Sequence, residues 1–183
     1  SPDHKIRIPM YSENIGIITS QTGDALNDIV STINKRFPLV SIYLYPALVQ
    51  GPDAPKSLIK ALNKASLEKK VDVVIIARGG GSFEDLNCFN DETLAKAIYE
   101  FDIPIVSGVG HENDYTICDF VCDDRAPTPT GAAVKVTPDK TVLFQTIDNV
   151  KHKLSILMRK VYEKKLNDYN ILQSNYYIKS FDN

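Results

Sequence analysis

Three short stretches hold nearly all the residues whose types and spacing could do chemistry. Arg78-Gly-Gly-Gly-Ser82 follows directly on the apolar run Val71–Ile76. Consecutive glycines let a backbone approach a ligand closely, and successive N–H groups can form an anion nest. An arginine at the tip adds a planar, permanently charged fork suited to phosphate. The stretch is not a Walker loop, since no Gly-Lys-Ser/Thr closes it, nor a dinucleotide fingerprint. Without a ligand it would read as a flexible loop with an ion-paired arginine. Gly110-His-Glu-Asn-Asp114 follows a second apolar run, Ile103–Val109. If a helix starts there, His111 and Asp114 share a face. That pairing suits an acid/base imidazole oriented by a carboxylate, or two metal ligands, or simply acids at a helix dipole. In the third stretch, Ser20 to Asp28, the hydroxyls of Ser20 and Thr22 lie at a strand end and helix start, an ordinary anion site. Asp28 stands one turn beyond Asp24, so the two either face one crevice or belong to a solvated helix surface.

These stretches need a frame that brings them together, and the chain supplies one. β-branched, apolar runs at Ile15–Ile18, Val40–Tyr45, Val71–Ile76 and Ile103–Val109 read as strands, the last two buried on both sides. Helical segments at Asp24–Arg36, Ala54–Lys69 and Asp91–Phe101 alternate with them, the third capped by Asn90 or Asp91. Repeated strand–helix–strand units imply a parallel sheet in a doubly wound α/β fold of the Rossmann or flavodoxin-like kind. Ligands in such sheets bind beyond the carboxyl ends of the strands, where all three stretches fall. The loop Pro46–Asp53 at the same edge reads as a plain turn.

Beyond residue 115 the pattern changes. Tyr115–Cys122 reads as a short helix, and the prolines of Asp123–Gly131 are expected to stop any regular element. Cys118 and Cys122 read as buried small apolar residues. From Thr141 a long helix is expected, with Leu143, Ile147, Val150, Leu154, Leu157 and Val161 in a heptad seam. The organisation is therefore a linker or cut boundary over 1–13, an α/β domain over 14–137 and a helical extension over 138–183.

Composition narrows the function classes. The 183 residues are 43% hydrophobic and 24% charged, which is globular and excludes disorder. The net charge of −2 excludes a polyphosphate binder working by bulk electrostatics, so any phosphate site must be built locally. Residues 1–137 carry −5 and residues 138–183 carry +3. No apolar run approaches the length of a membrane span, no export signal opens the chain, and three cysteines without a Cys-x-x-Cys fit a reducing cytoplasm.

The motifs together resemble a known family. Ile15-Gly-Ile-Ile-Thr-Ser-Gln-Thr-Gly-Asp-Ala-Leu-Asn-Asp28, Val49-Gln-Gly-Pro-Asp-Ala-Pro55, Arg78-Gly-Gly-Gly-Ser-Phe-Glu-Asp-Leu86, Phe89-Asn-Asp-Glu92, Val109-Gly-His-Glu-Asn-Asp-Tyr-Thr-Ile-Cys-Asp-Phe120 and Asp124-Arg-Ala-Pro-Thr-Pro-Thr130 occur in order. They closely resemble the large subunit of bacterial exodeoxyribonuclease VII, and the long helix resembles that family's coiled-coil region. The resemblance implies a cytoplasmic exonuclease that degrades single-stranded DNA from both ends to oligonucleotides. It also implies assembly with several copies of a small helical subunit, and it places the catalytic positions on Asp28, Arg78, His111 and Asp114. Ser20, Thr22, Gly79, Gly80, Gly81 and Ser82 are then expected on phosphate or DNA. Asp28, Glu112 and Asp114 are candidates for Mg²⁺, which the resemblance does not make obligatory. The chain departs from the family at Asn87, where tryptophan is usual, and at Gly131 and Val134, which interrupt an alanine-rich stretch. The family's OB-fold segment is expected to be missing ahead of Asn14. The rival expectation is a non-catalytic phosphate- or nucleotide-binding domain of flavodoxin-like fold. Self-association through the long helix is a further expectation.

Overall fold

A computed structural model describes residues 4–80, 83–111 and 113–181, and side-chain surroundings for these apart from 83–85 and 175–181. It separates into two compact units, 1–139 and 140–183.

The first unit is a five-stranded sheet, entirely parallel, in the order β2-β1-β3-β4-β5. Its strands are β1 (Asn14–Thr19), β2 (Ser41–Pro46), β3 (Val73–Ala77), β4 (Ile105–Gly108) and β5 (Asp124–Arg125). The helices are α1 (Asp24–Arg36), α2 (Ala54–Glu68), α3 (Glu92–Tyr99), α4 (Ile117–Val121) and α5 (Pro129–Val136), with a 3-10 helix over Phe83–Asn90. The expected doubly wound α/β fold is what forms.

Strand alternation explains the two-sided core. Ile18, Val74, Ile76 and Ile105 face one way, onto Leu58 and Leu62 of α2, Leu94 and Ile98 of α3, and Cys118 of α4. Ile15, Ile17, Val73, Ile75 and Val106 face the other way, onto Ile29 and Ile33 of α1 and Ala132 and Val136 of α5. Emptying either face by an Ile-to-Ala change would cost about 2–5 kcal/mol. Burial pushes the Cys118 and Cys122 thiols well above their usual range, as expected for inert core residues.

Local sequence sets the helix ends. Asp91 caps α3 through Leu94 N at 2.9 Å. Thr116 caps α4 in a reciprocal box with Asp119. One expectation fails here: the prolines of 123–131 do not exclude regular structure. Asp124–Arg125 pairs with Val106–Ser107 as a fifth strand, and Pro129 occupies the first turn of α5, where its missing N–H costs nothing. Thr128 caps that helix through Gly131 N at 2.9 Å. Gly108 makes the approach possible, since a Cβ there would lie 3.1 Å from Thr128 O and 3.0 Å from Ala132 Cβ.

The second unit is one helix, α6 (Lys140–Phe181), 42 residues and about 63 Å long. From residue 142 to 172 most of its apolar side chains are exposed, with Leu154, Leu157 and Val161 each at 59%, while Leu143 is half-buried. Among the described residues no helix is long and apolar enough to cross a membrane.

Candidate active site

The strand order reverses between β1 and β3, since β2 lies to one side of β1 and every later strand to the other. In open parallel sheets the crevice beyond the carboxyl ends of such a pair receives the ligand. Pairing of Ile18 with Ile76 brings the loop after β1 level with the loop after β3, and pairing of Ala77 with Gly108 adds the loop after β4.

Two adjoining pockets occupy this edge. One, of about 250 Å³, is lined by Asp24, Asp28, Arg78, Gly79, Gly80, Val109 and His111, with residues 127–130 closing it. The other, of about 220 Å³, is lined by Ser20, Thr22, Gly23, Asp24, Val49, Gln50, Arg78, Gly79 and Gly80. Arg78, Gly79, Gly80 and Asp24 form the shared wall, so the pair makes one cleft.

The groups in it are held differently. Arg78 is 5% exposed, at the end of a wholly buried strand, with its N–H directed to Gly108 O at 3.5 Å. A guanidinium held in that low-dielectric setting acts more strongly on an anion than one in water. Gly79 lies against the first turn of α1, where a Cβ would stand 3.6 Å from Ala25 N. The N-cap of α1, Gly23, offers no capping side chain; Leu26 N donates to Gly23 O at 3.2 Å, which leaves the Asp24 and Ala25 amides for a ligand or solvent. Asp28 and His111 are exposed to the cleft.

His111 and Asp114 do not share a helix face, contrary to that expectation. They begin and end a tight turn closed by Asp114 N donating to His111 O at 3.1 Å, and α4 starts only at Ile117. Gly110 permits the turn: a Cβ there would sit 2.1 Å from Asp114 O. Asp114 is half-buried and is not among the lining residues. Ser20, Thr22, Gly79 and Gly80 line the cleft, while Gly81, Ser82 and Glu112 lie outside the described residues.

Two contributions escaped the sequence reading. The loop expected to be a plain turn lends Val49 and Gln50 to the cleft. The proline-rich segment lends Pro127, Thr128, Pro129 and Thr130. The Thr-Pro signature of a cap and first helical residue could have revealed the second of these. Nothing in the spacing around Gln50 signals the first.

The comparisons with known proteins converge. The family model described as "Exonuclease VII, large subunit" matches residues 1–182. Proteins named exodeoxyribonuclease 7 large subunit are similar throughout. One from Legionella pneumophila (strain Paris) is 53% identical over 154 residues, covering 84% of this chain and 35% of the relative. One from Alkaliphilus metalliredigens (strain QYMF) is 47% identical over 176 residues, covering 96% and 43%. A Bacillus thuringiensis (strain Al Hakam) relative is 44% identical over 173 residues, covering 94% and 38%. The chain thus spans between a third and a half of the length of these curated relatives.

Proposed function

The chain belongs to the exonuclease VII large-subunit family, and from that premise we propose that its α/β unit is the catalytic part of an exodeoxyribonuclease. Its substrate is single-stranded DNA, degraded from both ends to oligonucleotides. The observation that carries this reading is the meeting of Asp28, Arg78 and His111 in one pocket at the sheet's switch point.

In the proposed mechanism the scissile phosphate lies against the Arg78 guanidinium and the amides of Gly79 and Gly80. The charge that grows on the phosphoryl oxygens in the transition state is balanced there by donors already in place. A water oxygen bonds to phosphorus while the ester oxygen leaves. His111 serves as the general acid or base for one of these proton movements, and its exposure to the cleft gives it access to water. Asp28 orients that water or the imidazole, and Asp114 acts on the imidazole from within the same turn. Ser20 and Thr22 receive the DNA backbone beside the scissile group.

Of the candidate Mg²⁺ ligands among the described residues, Asp28 lines the pocket and half-buried Asp114 does not, and no three described His, Cys, Asp or Glu side chains gather as a metal site.

The division of labour follows the chain. Residues 14–137 form the nuclease domain, and residues 138–183 extend it as a helix whose apolar seam is covered by copies of a small subunit or by a second copy of this chain. Contiguous exposed apolar surface of that size supports a partner, since each such side chain is worth about 1.5–3 kcal/mol if fully buried. The working compartment is the cytoplasm. End-labelled single-stranded DNA, incubated with and without chelator, tests the reading. Short labelled products are expected from both ends in both conditions. Binding without cleavage would turn the chain into a non-catalytic phosphate- or nucleotide-binding domain.

A further inference from the structure

We propose that Arg125 is a positioning residue for His111, acting through the backbone of the turn that carries the imidazole; the inference rests on the proposed acid/base role of His111. Arg125 lies on β5, paired with Ser107 of β4, and its side chain is 16% exposed. Nη2 donates to His111 O at 2.5 Å and to Asp114 O at 3.2 Å. One nitrogen thus ties down both ends of the turn that the Asp114 N–H to His111 O bond closes.

The guanidinium is itself fixed from two further directions. Its carbon stands 3.9 Å from the centroid of the Tyr115 ring, the residue immediately after the turn. Its Nε lies 3.7 Å from Asp119 Oδ1. Asp119 is fully buried at its side chain and cannot wander. Its Oδ1 accepts from Ser107 Oγ at 2.5 Å, and its Oδ2 accepts from Thr116 N at 2.8 Å and Thr116 Oγ1 at 2.9 Å. A chain of contacts therefore runs from the core of β4, through Asp119 and Arg125, to the carbonyl of the histidine.

The chemistry explains why the residue is arginine. Ring stacking, an ion pair through Nε and two carbonyls on Nη2 demand a planar fork, whereas an ammonium is a single point. It also explains why a clamp is needed. The His111 side chain is exposed, so packing does not set its position; the backbone beneath it must. Displacement of a reacting group by about 1 Å can cost 10²-fold in rate.

The test uses the full-length enzyme with Arg125→Lys, which keeps a cation beside buried Asp119, and Arg125→Gln as a second variant, each alone and combined with His111→Ala. The expected result is a kcat lowered roughly 10²-fold with KM unchanged, and no further loss when either is added to His111→Ala. A raised KM at unchanged kcat would mean that Arg125 contacts DNA directly. Further loss in the His111→Ala background would mean that it acts independently. Either result overturns the proposal. Amide exchange separates this inference from the functional reading. If the wild-type enzyme does not cleave DNA, the nuclease reading falls alone. The positioning proposal then stands or falls on the Asp114 amide, which should lose protection in Arg125→Lys while Val106 keeps its own. Unchanged protection at Asp114 overturns it.

Discussion

The two rims of the cleft are held in opposite ways. On the β3 side, Arg78 is an extension of the core: five buried residues lead up to it, and it is itself buried. On the β4 side, His111 sits exposed on a turn that owes its shape to one glycine and to hydrogen bonds on its backbone. The difference matches the two tasks assigned to these groups. A cation that stabilises charge gains from a dry, rigid setting and never has to exchange a proton. A general acid or base must meet water and the leaving group, so its side chain stays open while the backbone beneath it is fixed. Rigidity is supplied through packing on one rim and through polar contacts on the other.

That contrast can be sharpened or broken by substitution. Arg78→Lys keeps the charge at the buried rim but loses the planar fork. Turnover should fall roughly 10²- to 10³-fold, as when a preorganised donor is removed, and steady-state kinetics on single-stranded DNA would read it. Near wild-type rates would reduce Arg78 to a general electrostatic contributor. Gly110→Ala attacks the exposed rim through its backbone. The new methyl would meet Asp114 O at 2.1 Å, so the turn must open. A loss on the order of tenfold in kcat is expected, with little change in unfolding temperature, because the substitution removes no side chain from either core face. A variant that unfolds early would show that the turn supports the fold as well as the site.

The smallest effect on chemistry is expected from the second unit. Replacing Leu154 and Leu157 of α6 with Asp should weaken self-association or small-subunit binding, measured by light scattering, and leave the rate of the chemical step unchanged. A wild-type chain that is monomeric and binds no small subunit would remove the partner reading of the helix.

The sequence disclosed the parts of the molecule governed by periodicity. The β-branched apolar runs Ile15–Ile18 and Val71–Ile76, and the helical spacing over Asp24–Arg36, follow from burial on two faces, and each element formed within a few residues of its expected bounds. What stayed hidden is governed by contacts distant in sequence. A two-residue strand such as Asp124–Arg125 has no period to detect; it exists because β4 offers it an edge. Pro127 and Pro129 read as breakers, yet a proline in the first helical turn starts α5. The three-residue spacing of His111 and Asp114 fits a helix face and a tight turn equally well, and Gly110 decides in favour of the turn. The loop motifs identified the cleft, while the inclusion of Gln50 depended on where the chain after β2 came to lie.

His111→Ala separates a cleft that performs chemistry from one that only holds a phosphate. Affinity for single-stranded DNA and the rate of its cleavage should be measured on the same preparations of wild type and variant. Unchanged affinity, an unchanged unfolding transition and a cleavage rate lowered roughly 10²- to 10⁴-fold are expected, the range that general acid–base catalysis supplies. A folded His111→Ala protein that still cleaves DNA at the wild-type rate would contradict the acid–base role of His111.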